Sequence, residues 1–441
     1  MKYKKIPFGE RTIYCSDQFD IYIEHEQQDE KVLFSDDDNI EFVEWINRPI
    51  KKPSKLKKLI ILASTACNLR CRYCYLNYGK HEGEEVIHNI QVASAKKAID
   101  IILEQYPDGI GFIQFFGGEP LVAFPEIKEI YTYICDKFLA LGLIQPQFGM
   151  VTNGLLLNDE IISFLNESKI SVTMSVDGDQ KIHDLVRLKI NETSAFLDIK
   201  EKMRQYKDRV RFPLFYEMTL NREHVLAYEP GKMKEWLTAI KELGFTGGII
   251  GIVEFSRDSL LDFREEDIPI LKKMYQEYVK FYFDELLDEN SNFYNLDICK
   301  MILFILKKDL KFYSCNVGIG QLTLGTNGSF YPCPKFATID FKLGSVEEGD
   351  FHQEEIAKVI ESDKRENCQN CWMRYMCKSY CFSLKYRNID KRKVIPIRCI
   401  HLENMMENVI INVVEAKEKG QLVSLVKKVQ QIYGRIAKVT M

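Results

Sequence analysis

From Leu59 onward, apolar runs of strand length alternate with longer amphipathic stretches, and this alternation limits the possible folds more than any single motif does. The runs read "KLIILAST", "GIGFIQFFGG", "PQFGMVTNG", "KISVTMSVDG", "RFPLFYEMTLN" and "FTGGIIGIVEF". Between them, "VASAKKAIDIILEQY", "FPEIKEIYTYICDKFLALG" and "NDEIISFLNES" space their apolar residues as helices do. Buried strands alternating with helices predict an α/β fold, with a parallel sheet and the helices outside it. Six such units are two short of a closed eight-stranded barrel. The expected core is therefore an open, partial (β/α)6 TIM-like barrel.

The flanking segments differ in character. Residues 1–57 mix strand-like alternation ("RTIYCSDQFDIYIEHE") with acidic turns, and close on Pro49 and Pro53 in a lysine-rich linker. They read as a small β-rich lead-in. Residues 58–310 hold the six units and the bridging helices "PILKKMYQEYVKFYFDELL" and "YNLDICKMILFILKKDL". Residues 311–400 are rich in cysteine, and residues 401–441 read as a helical tail.

A formal net charge of −4 gives no general pull toward nucleic acid or anionic membranes. The basic patches at Lys51 to Lys58 and Lys391 to Lys393 read as solvated surface and linker. No segment approaches the roughly 18 uninterrupted apolar residues that span a bilayer. The N-terminus has no signal-peptide core. A cytoplasmic protein without nucleic-acid or membrane partners is expected.

The 13 cysteines are unevenly placed: three near Cys67, seven from Cys315 to Cys399, and Cys15, Cys135 and Cys299 apart. Isolated cysteines are most simply small buried hydrophobes. In a reducing cytosol, clustered cysteines favour metal or iron–sulfur ligation. Cys67, Cys71 and Cys74 in "CNLRCRYC" directly follow the first core strand, on the carboxyl-end loop where α/β barrels place chemistry. A closed zinc site wants four protein ligands. Three thiolates with no fourth nearby suggest a 4Fe–4S cluster with one iron left free, a zinc or redox site being the alternative.

This C-x3-C-x-aromatic-C pattern resembles that of the radical S-adenosylmethionine (SAM) superfamily. "FFGGEP" (Phe115 to Pro120) resembles the family's GGEP motif, and "VTNG" (Val151 to Gly154) and "SVDGDQKIHDLVR" (Ser175 to Arg187) resemble its third and fourth strand ends. The resemblance implies that Cys67, Cys71 and Cys74 hold a SAM-binding cluster. It implies that Gly117 and Gly118 let the backbone approach the methionyl ammonium of S-adenosyl-L-methionine, with Glu119 as a nearby charge partner. Ser175 would contact the SAM carboxylate or ribose, and Tyr73 would lie beside the adenine. Arg187 is a further candidate, equally readable as a helix-surface charge, while His183 and Asp184 read as capping or structural. The implied chemistry chelates the unique iron with the amino and carboxylate groups of SAM. One electron, from a donor such as flavodoxin or ferredoxin, then cleaves a carbon–sulfur bond to give a 5′-deoxyadenosyl radical. The protein must hold SAM and substrate in near-attack geometry and exclude water.

Twelve residues separate Cys315 from Gly328 and four separate Gly328 from Cys333. "CQNCWMRYMCKSYC" then gives Cys368, Cys371, Cys377 and Cys381, and Cys399 follows after a gap. This series resembles the SPASM extension of radical SAM enzymes cysteine for cysteine. The resemblance implies a C-terminal iron–sulfur SPASM domain with two auxiliary clusters, three 4Fe–4S clusters in all. One auxiliary cluster would take Cys368, Cys371, Cys377 and Cys399. The other would take Cys315, Cys333 and Cys381, and Gln321 stands where fully ligated relatives supply a fourth cysteine. Either that iron is open, able to bind a substrate thiolate as a soft Lewis acid, or Cys299 or a carboxylate fills it.

SPASM enzymes are best known for modifying ribosomally made peptides and proteins. Sulfatase maturases among them carry a basic aspartate just after the second SPASM cysteine, where this chain has Pro334. The winged-helix module that grips leader peptides in many maturases is not evident in residues 1–57. Recognition would then use a separate leader-binding protein or this chain's own lead-in and tail. The expected function is a sactipeptide- or ranthipeptide-type maturase that abstracts hydrogen from a ribosomal precursor peptide and installs a crosslink, a cysteine thioether. Carbon–carbon crosslinking, epimerisation, sulfatase-maturase-like oxidation, small-molecule radical chemistry and a non-catalytic metal scaffold are the alternatives.

Overall fold

The structure is a computed structural model. It describes residues 3–16, 20–24, 30–33, 53–76, 89–253, 259–307, 317, 320–338, 341–353, 371–373, 377, 381, 383 and 397–439. At the amino end, β1 (Tyr3–Phe8), β2 (Arg11–Ser16), β3 (Ile21–Ile23) and β4 (Glu30–Leu33) form an antiparallel sheet in chain order. Gly9, at φ +60°, makes the tight turn between the first two.

The core follows as β5 (Leu56–Ser64), β6 (Leu69–Cys71), α1 (Val92–Gln105), β7 (Ile110–Gly117), α2 (Phe124–Ala140), β8 (Gln147–Thr152), α3 (Asp159–Ser168) and β9 (Ser171–Ser175). It continues through α4 (Gln180–Val186), β10 (Arg187–Lys189), α5 (Ala195–Tyr206), β11 (Leu214–Leu220), α6 (Arg222–Leu226), α7 (Lys232–Glu242) and β12 (Gly247–Ile252). Strands β5, β7, β8, β9, β11 and β12 lie side by side in that order, and each neighbouring pair is parallel. The six apolar runs are thus the six central strands of a mixed α/β fold.

After β12 come α8 (Ile268–Leu287), β13 (Tyr294–Asn295), α9 (Leu296–Lys307), β14 (Gln321–Leu324), β15 (Ser329–Tyr331), α10 (Pro334–Ala337), β16 (Gly344–Ser345) and β17 (Asp350–Phe351). Two long helices end the chain, α11 (Ile397–Glu418) and α12 (Leu422–Val439). The sheet is wider than its six long strands. Strand β13 adds in parallel to β12, and β14 adds in parallel to β5 with Gln321 opposite Lys58. Such short strands have too little length to show a period of two.

Helix α11 runs through residue 400, so the cysteine-rich segment and the tail share one element, with Cys399 in its first turn. Asn404, Asn408 and Asn412 interrupt its apolar pattern yet are buried. Each side-chain amide donates to the carbonyl four residues earlier, on Ile400 (2.7 Å), Asn404 (2.8 Å) and Asn408 (2.8 Å). That bond satisfies a polar group that burial would otherwise penalise. The tail also anchors the lead-in, because Lys4 on β1 bonds Glu403 at 2.8 Å and Glu407 at 2.6 Å.

The two faces of the sheet are unlike. Residues pointing at the helices, such as Ile113, Phe115, Val172, Met174, Tyr216 and Met218, are fully buried. The alternate positions Gln114, Ser171, Thr173, Ser175, Glu217 and Thr219 are polar and only half-buried. The inner face is therefore less buried than the face under the helices. Among the described residues, no helix is long and apolar enough to cross a membrane.

The outer-face packing carries stability. Phe115 is 0% exposed and its ring stacks on Phe148 at 6.3 Å. Phe115→Ala is expected to lower unfolding free energy by about 3–5 kcal/mol. Leu139→Ala, at a side chain 75% exposed, should stay within about 0.5 kcal/mol of wild type in the same denaturant titration.

Candidate active site

The three-cysteine loop is held in place by backbone on one side. Strand β5 pairs with β7 as far as Ser64 opposite Gly117. The ladder then continues beyond both strands, since Gly118 N donates to Ser64 O at 2.8 Å and Glu119 N to Ala66 O at 2.7 Å. Ala66 immediately precedes Cys67. A Cβ on Gly117, whose φ is +136°, would stand 2.4 Å from Ser64 O, and one on Gly118 would stand 2.4 Å from Ala66 O. Such distances forbid any side chain. The glycines are thus required first by the close approach of the cysteine loop itself, a partner nearer than the methionyl ammonium that the resemblance suggested.

Glu119 ties the next strand end to the same loop. It is 1% exposed, and its carboxylate accepts from Leu121 N (3.1 Å), Thr152 Oγ1 (2.6 Å) and Asn153 N (2.8 Å). Burial pushes its carboxyl up to about 7, with the three donors opposing. Asn153 in turn donates from Nδ2 to Asn68 Oδ1 at 2.7 Å, beside Cys67.

On the far side the loop is held by a buried ion pair. Strand β10 pairs antiparallel with β6 and sets Arg187 opposite Cys71. Arg187 donates from Nε to Asp177 Oδ2 at 2.8 Å and from Nη2 to Asp177 Oδ1 at 3.2 Å. Thr219 N donates to Oδ1 at 2.8 Å, and the Tyr73 hydroxyl donates to Oδ2. The guanidinium lies 5.3 Å from the centre of the Tyr73 ring, and its Nη1 is 3.9 Å from Cys71 Sγ. Arg187 is 6% exposed, so the reading of it as a helix-surface charge is corrected. Burial, the largest single effect, would raise the Asp177 carboxyl, but Arg187 together with His183 and His224 outweighs it and holds the group below the ordinary range.

His183 and Asp184 have structural work. The His183 Nδ1 accepts from Asp177 N at 3.2 Å, and burial pushes the ring down to about 4. Asp184 accepts from Ser194 Oγ at 2.5 Å and Phe196 N at 3.0 Å, at the start of α5.

These parts enclose one cavity at the carboxyl ends of the strands. Cys67, Cys71, Cys74, Tyr73, Gly117, Gly118, Glu119, Ser175 and Arg187 share its wall, together with Tyr75, Glu217 and Thr219. The sequence had not singled out the last three, nor Asp177. Burial pushes the Cys67 thiol up to about 11 and the Cys71 thiol up to about 12. A bound cation would supply the charge that turns such thiols into thiolates. Among the described residues no three His, Cys, Asp or Glu side chains converge as ligands of one metal ion do. A 4Fe–4S cluster makes no such demand, since each thiolate binds a different iron. The donor set fits that group.

Cys315 and Cys368 lie outside the described residues. Of the other cysteines in the segment, Cys333 and Cys381 both act electrostatically on Tyr75, as do Cys74 and Glu217. Lys335 Nζ stands 5.7 Å from the centre of that ring. Cys371 has Cys377 among its charged neighbours, along with Glu403 and Lys4. Cys399 is exposed. Cys299 is fully buried on α9, its thiol pushed up to about 12 by burial, with Lys300 and Asp297 as its charged neighbours. Pro334 opens α10 directly after Cys333 and brings no carboxylate to that position.

Glu119 offers a clean test of how the loop is held. In Glu119→Gln the amide cannot accept from both Asn153 N and the donors on the other oxygen, so one buried bond is lost. Unfolding free energy should fall by about 1–3 kcal/mol. Denaturant titration checks this, and an unchanged midpoint would contradict it.

Comparison with known proteins bears on the family and the fold. Residues 61–228 match the radical SAM superfamily. An uncharacterized protein of Methanocaldococcus jannaschii is 34% identical over 148 residues, 34% of this chain and 48% of that protein. A cysteine-type anaerobic sulfatase-maturating enzyme of Clostridium perfringens is 25% identical over 347 residues, covering 74% of this chain and 88% of that enzyme. The antilisterial bacteriocin subtilosin biosynthesis protein AlbA of Bacillus subtilis is 23% identical over 339 residues, 74% of this chain and 66% of that protein. This chain thus matches about half of the first of these relatives and most of the second. Among solved structures, anSMEcpe with bound AdoMet and Cp18Cys peptide superposes with a TM-score of 0.64 at 19% identity, over 86% of this chain and 99% of that one. Streptococcus suis SuiB bound to its precursor peptide SuiA gives 0.53 at 16% identity, over 78% and 75%. At those identities the superpositions speak for the fold, and the sequence match speaks for the family. Residues 61–228 of this chain are a radical SAM domain.

Proposed function

We propose that this chain is a radical SAM/SPASM peptide maturase that abstracts hydrogen from a ribosomally made precursor peptide and installs a crosslink, a cysteine thioether. The observation that carries the reading is the position of Tyr75, which lines the cavity next to Cys74 while its ring centre lies 5.7 Å from Lys335 Nζ, two residues after Cys333. Burial raises the Tyr75 hydroxyl well above its ordinary range, and Cys333, Cys74 and Cys381 lie near enough to add to that shift. A radical source and a second iron–sulfur centre would then flank the same substrate. Relatives that mature peptides or proteins support a peptide substrate.

Cys67, Cys71 and Cys74 would hold the first cluster, with SAM against Gly117, Gly118, Glu119 and Ser175. Bound there, the cluster and SAM supply a 5′-deoxyadenosyl radical. Arg187 and Asp177 fix Tyr73 so that its ring offers a flat wall to the adenine, and Thr219 closes that side. The six parallel strands, taken as a partial barrel, present their polar inner face to the peptide. Cys333 and Cys381, with Cys315, would hold one auxiliary cluster, its fourth position near Gln321. Cys371 and Cys377, with Cys368 and Cys399, would hold the other, and the proximity of Cys371 to Cys377 fits that division. A flavodoxin or ferredoxin would deliver the electron in the cytoplasm.

The sulfatase-maturating relatives favour a second reading, oxidation of a sulfatase side chain. Pro334 argues against it, because a proline supplies no base where those enzymes place an aspartate.

The test uses enzyme with its clusters reconstituted, SAM, a reductant, and the peptide encoded by the short cysteine-bearing reading frame nearest the gene, under anaerobic conditions. A product lighter by two hydrogens, with a thiol no longer open to alkylation, is expected. An unchanged thiol count in a modified peptide would sink the thioether assignment.

A further inference from the structure

Among the described residues, two carboxylates, Glu119 and Glu217, line the cavity, and a third, Asp177, bonds to the lining residues Tyr73, Arg187 and Thr219. Glu119 accepts three hydrogen bonds. Asp177 accepts from Arg187 twice, from Thr219 and from Tyr73. Glu217 differs. It is an inner-face residue of β11, opposite Ser175 in register and two residues before Thr219. No hydrogen bond reaches its side chain from the described residues. On β12, Ile249 lies opposite it in register, and two residues further on is Gly251, where an added Cβ would stand 3.4 Å from Glu217 Oε1. The glycine keeps that side of the carboxylate open. Its charged and titratable neighbours are Arg187 from β10, Asp177 beyond β9, Lys58 from β5 and Asp297 from α9, and it faces Tyr75 from the cysteine loop.

A carboxylate that spends nothing on the fold is available to the reaction. Thioether formation needs such a group, and the position after Cys333 is a proline. We propose that Glu217 is the proton acceptor for the crosslinking step, an assignment that rests on the peptide-maturase reading above. The carbon–hydrogen bond of the peptide gives its hydrogen atom to the deoxyadenosyl radical. The carbon radical then bonds to the peptide cysteine sulfur, the sulfur–hydrogen bond breaks, and its proton passes to Glu217. One electron remains, and an oxidised iron–sulfur cluster held by cysteines of residues 311–400 would take it up. Atoms and charge then balance. Burial raises the Glu217 carboxyl, with Arg187 pulling the other way. The basic form therefore grows in as pH rises through that raised range.

The experiment compares wild type, Glu217→Gln and Glu217→Asp as holoenzymes with SAM, reductant and the same neighbouring-frame peptide. In Glu217→Gln the ratio of crosslinked peptide to 5′-deoxyadenosine should fall about 10²-fold while SAM cleavage persists. Glu217→Asp should recover part of that ratio. The wild-type ratio should climb with pH, and the Gln variant should show no such rise. Peptide affinity of the unreduced holoenzyme should match wild type in both variants, which also shows that they fold. An unchanged ratio in Glu217→Gln overturns the assignment. So does a loss of peptide or SAM affinity as large as the loss of product, which would make Glu217 a binding group. Wild-type enzyme that forms no crosslink defeats the underlying reading, and this assignment falls with it.

Discussion

The Asp177 carboxylate is the point on which the site depends. It is 0% exposed and collects donors from Arg187, Thr219 and Tyr73, which belong to separate stretches of chain. Through Arg187 it fixes β10 against β6, and so places Cys71. Through Tyr73 it orients the residue just before Cys74. A buried charge pair of this kind adds little net stability, but losing one partner strands the other in a low-dielectric interior. The pair therefore works as a positional lock. With Asp177 on one side and the Gly118 and Glu119 amides on the other, the cysteine loop is held from both flanks.

The cavity has an equally simple cause. Along β9 and β11, fully buried residues alternate with half-buried ones that are polar except for Phe215. The apolar set packs under the helices, and the polar set looks into open space. A closed eight-stranded barrel would fill that space with branched side chains. Here the inner face carries Ser171, Thr173, Ser175, Glu217 and Thr219, which suits a bound polar chain better than a packed core.

Much of this was legible in the sequence, because the signals were long or chemically rare. The six strand runs became the six central strands, and the three cysteines lie together at their carboxyl ends. Other features were hidden for physical reasons. In "HDLVR" nothing distinguishes an exposed helical arginine from a buried one, and only the pairing of β10 with β6, more than a hundred residues away, decides. The SVDG stretch was noticed for Ser175, whereas its aspartate does the holding. Glu217 interrupts an apolar strand as any solvent-facing residue would, so its role depends on which face meets the cavity. The helical tail read from residue 401 begins in the structure at Ile397, before Cys399. Cys315 and Cys368 lie outside the described residues, and their placement rests on spacing alone.

The central claim is that the radical formed at this cavity acts on a peptide. The most direct measurement gives the reconstituted enzyme SAM, a reductant and the neighbouring-frame peptide, with deuterium carried on the carbons that could be crosslinked. Deuterium recovered in 5′-deoxyadenosine, in step with product, is the predicted result. Full cleavage of SAM with all label left in the peptide would contradict the account.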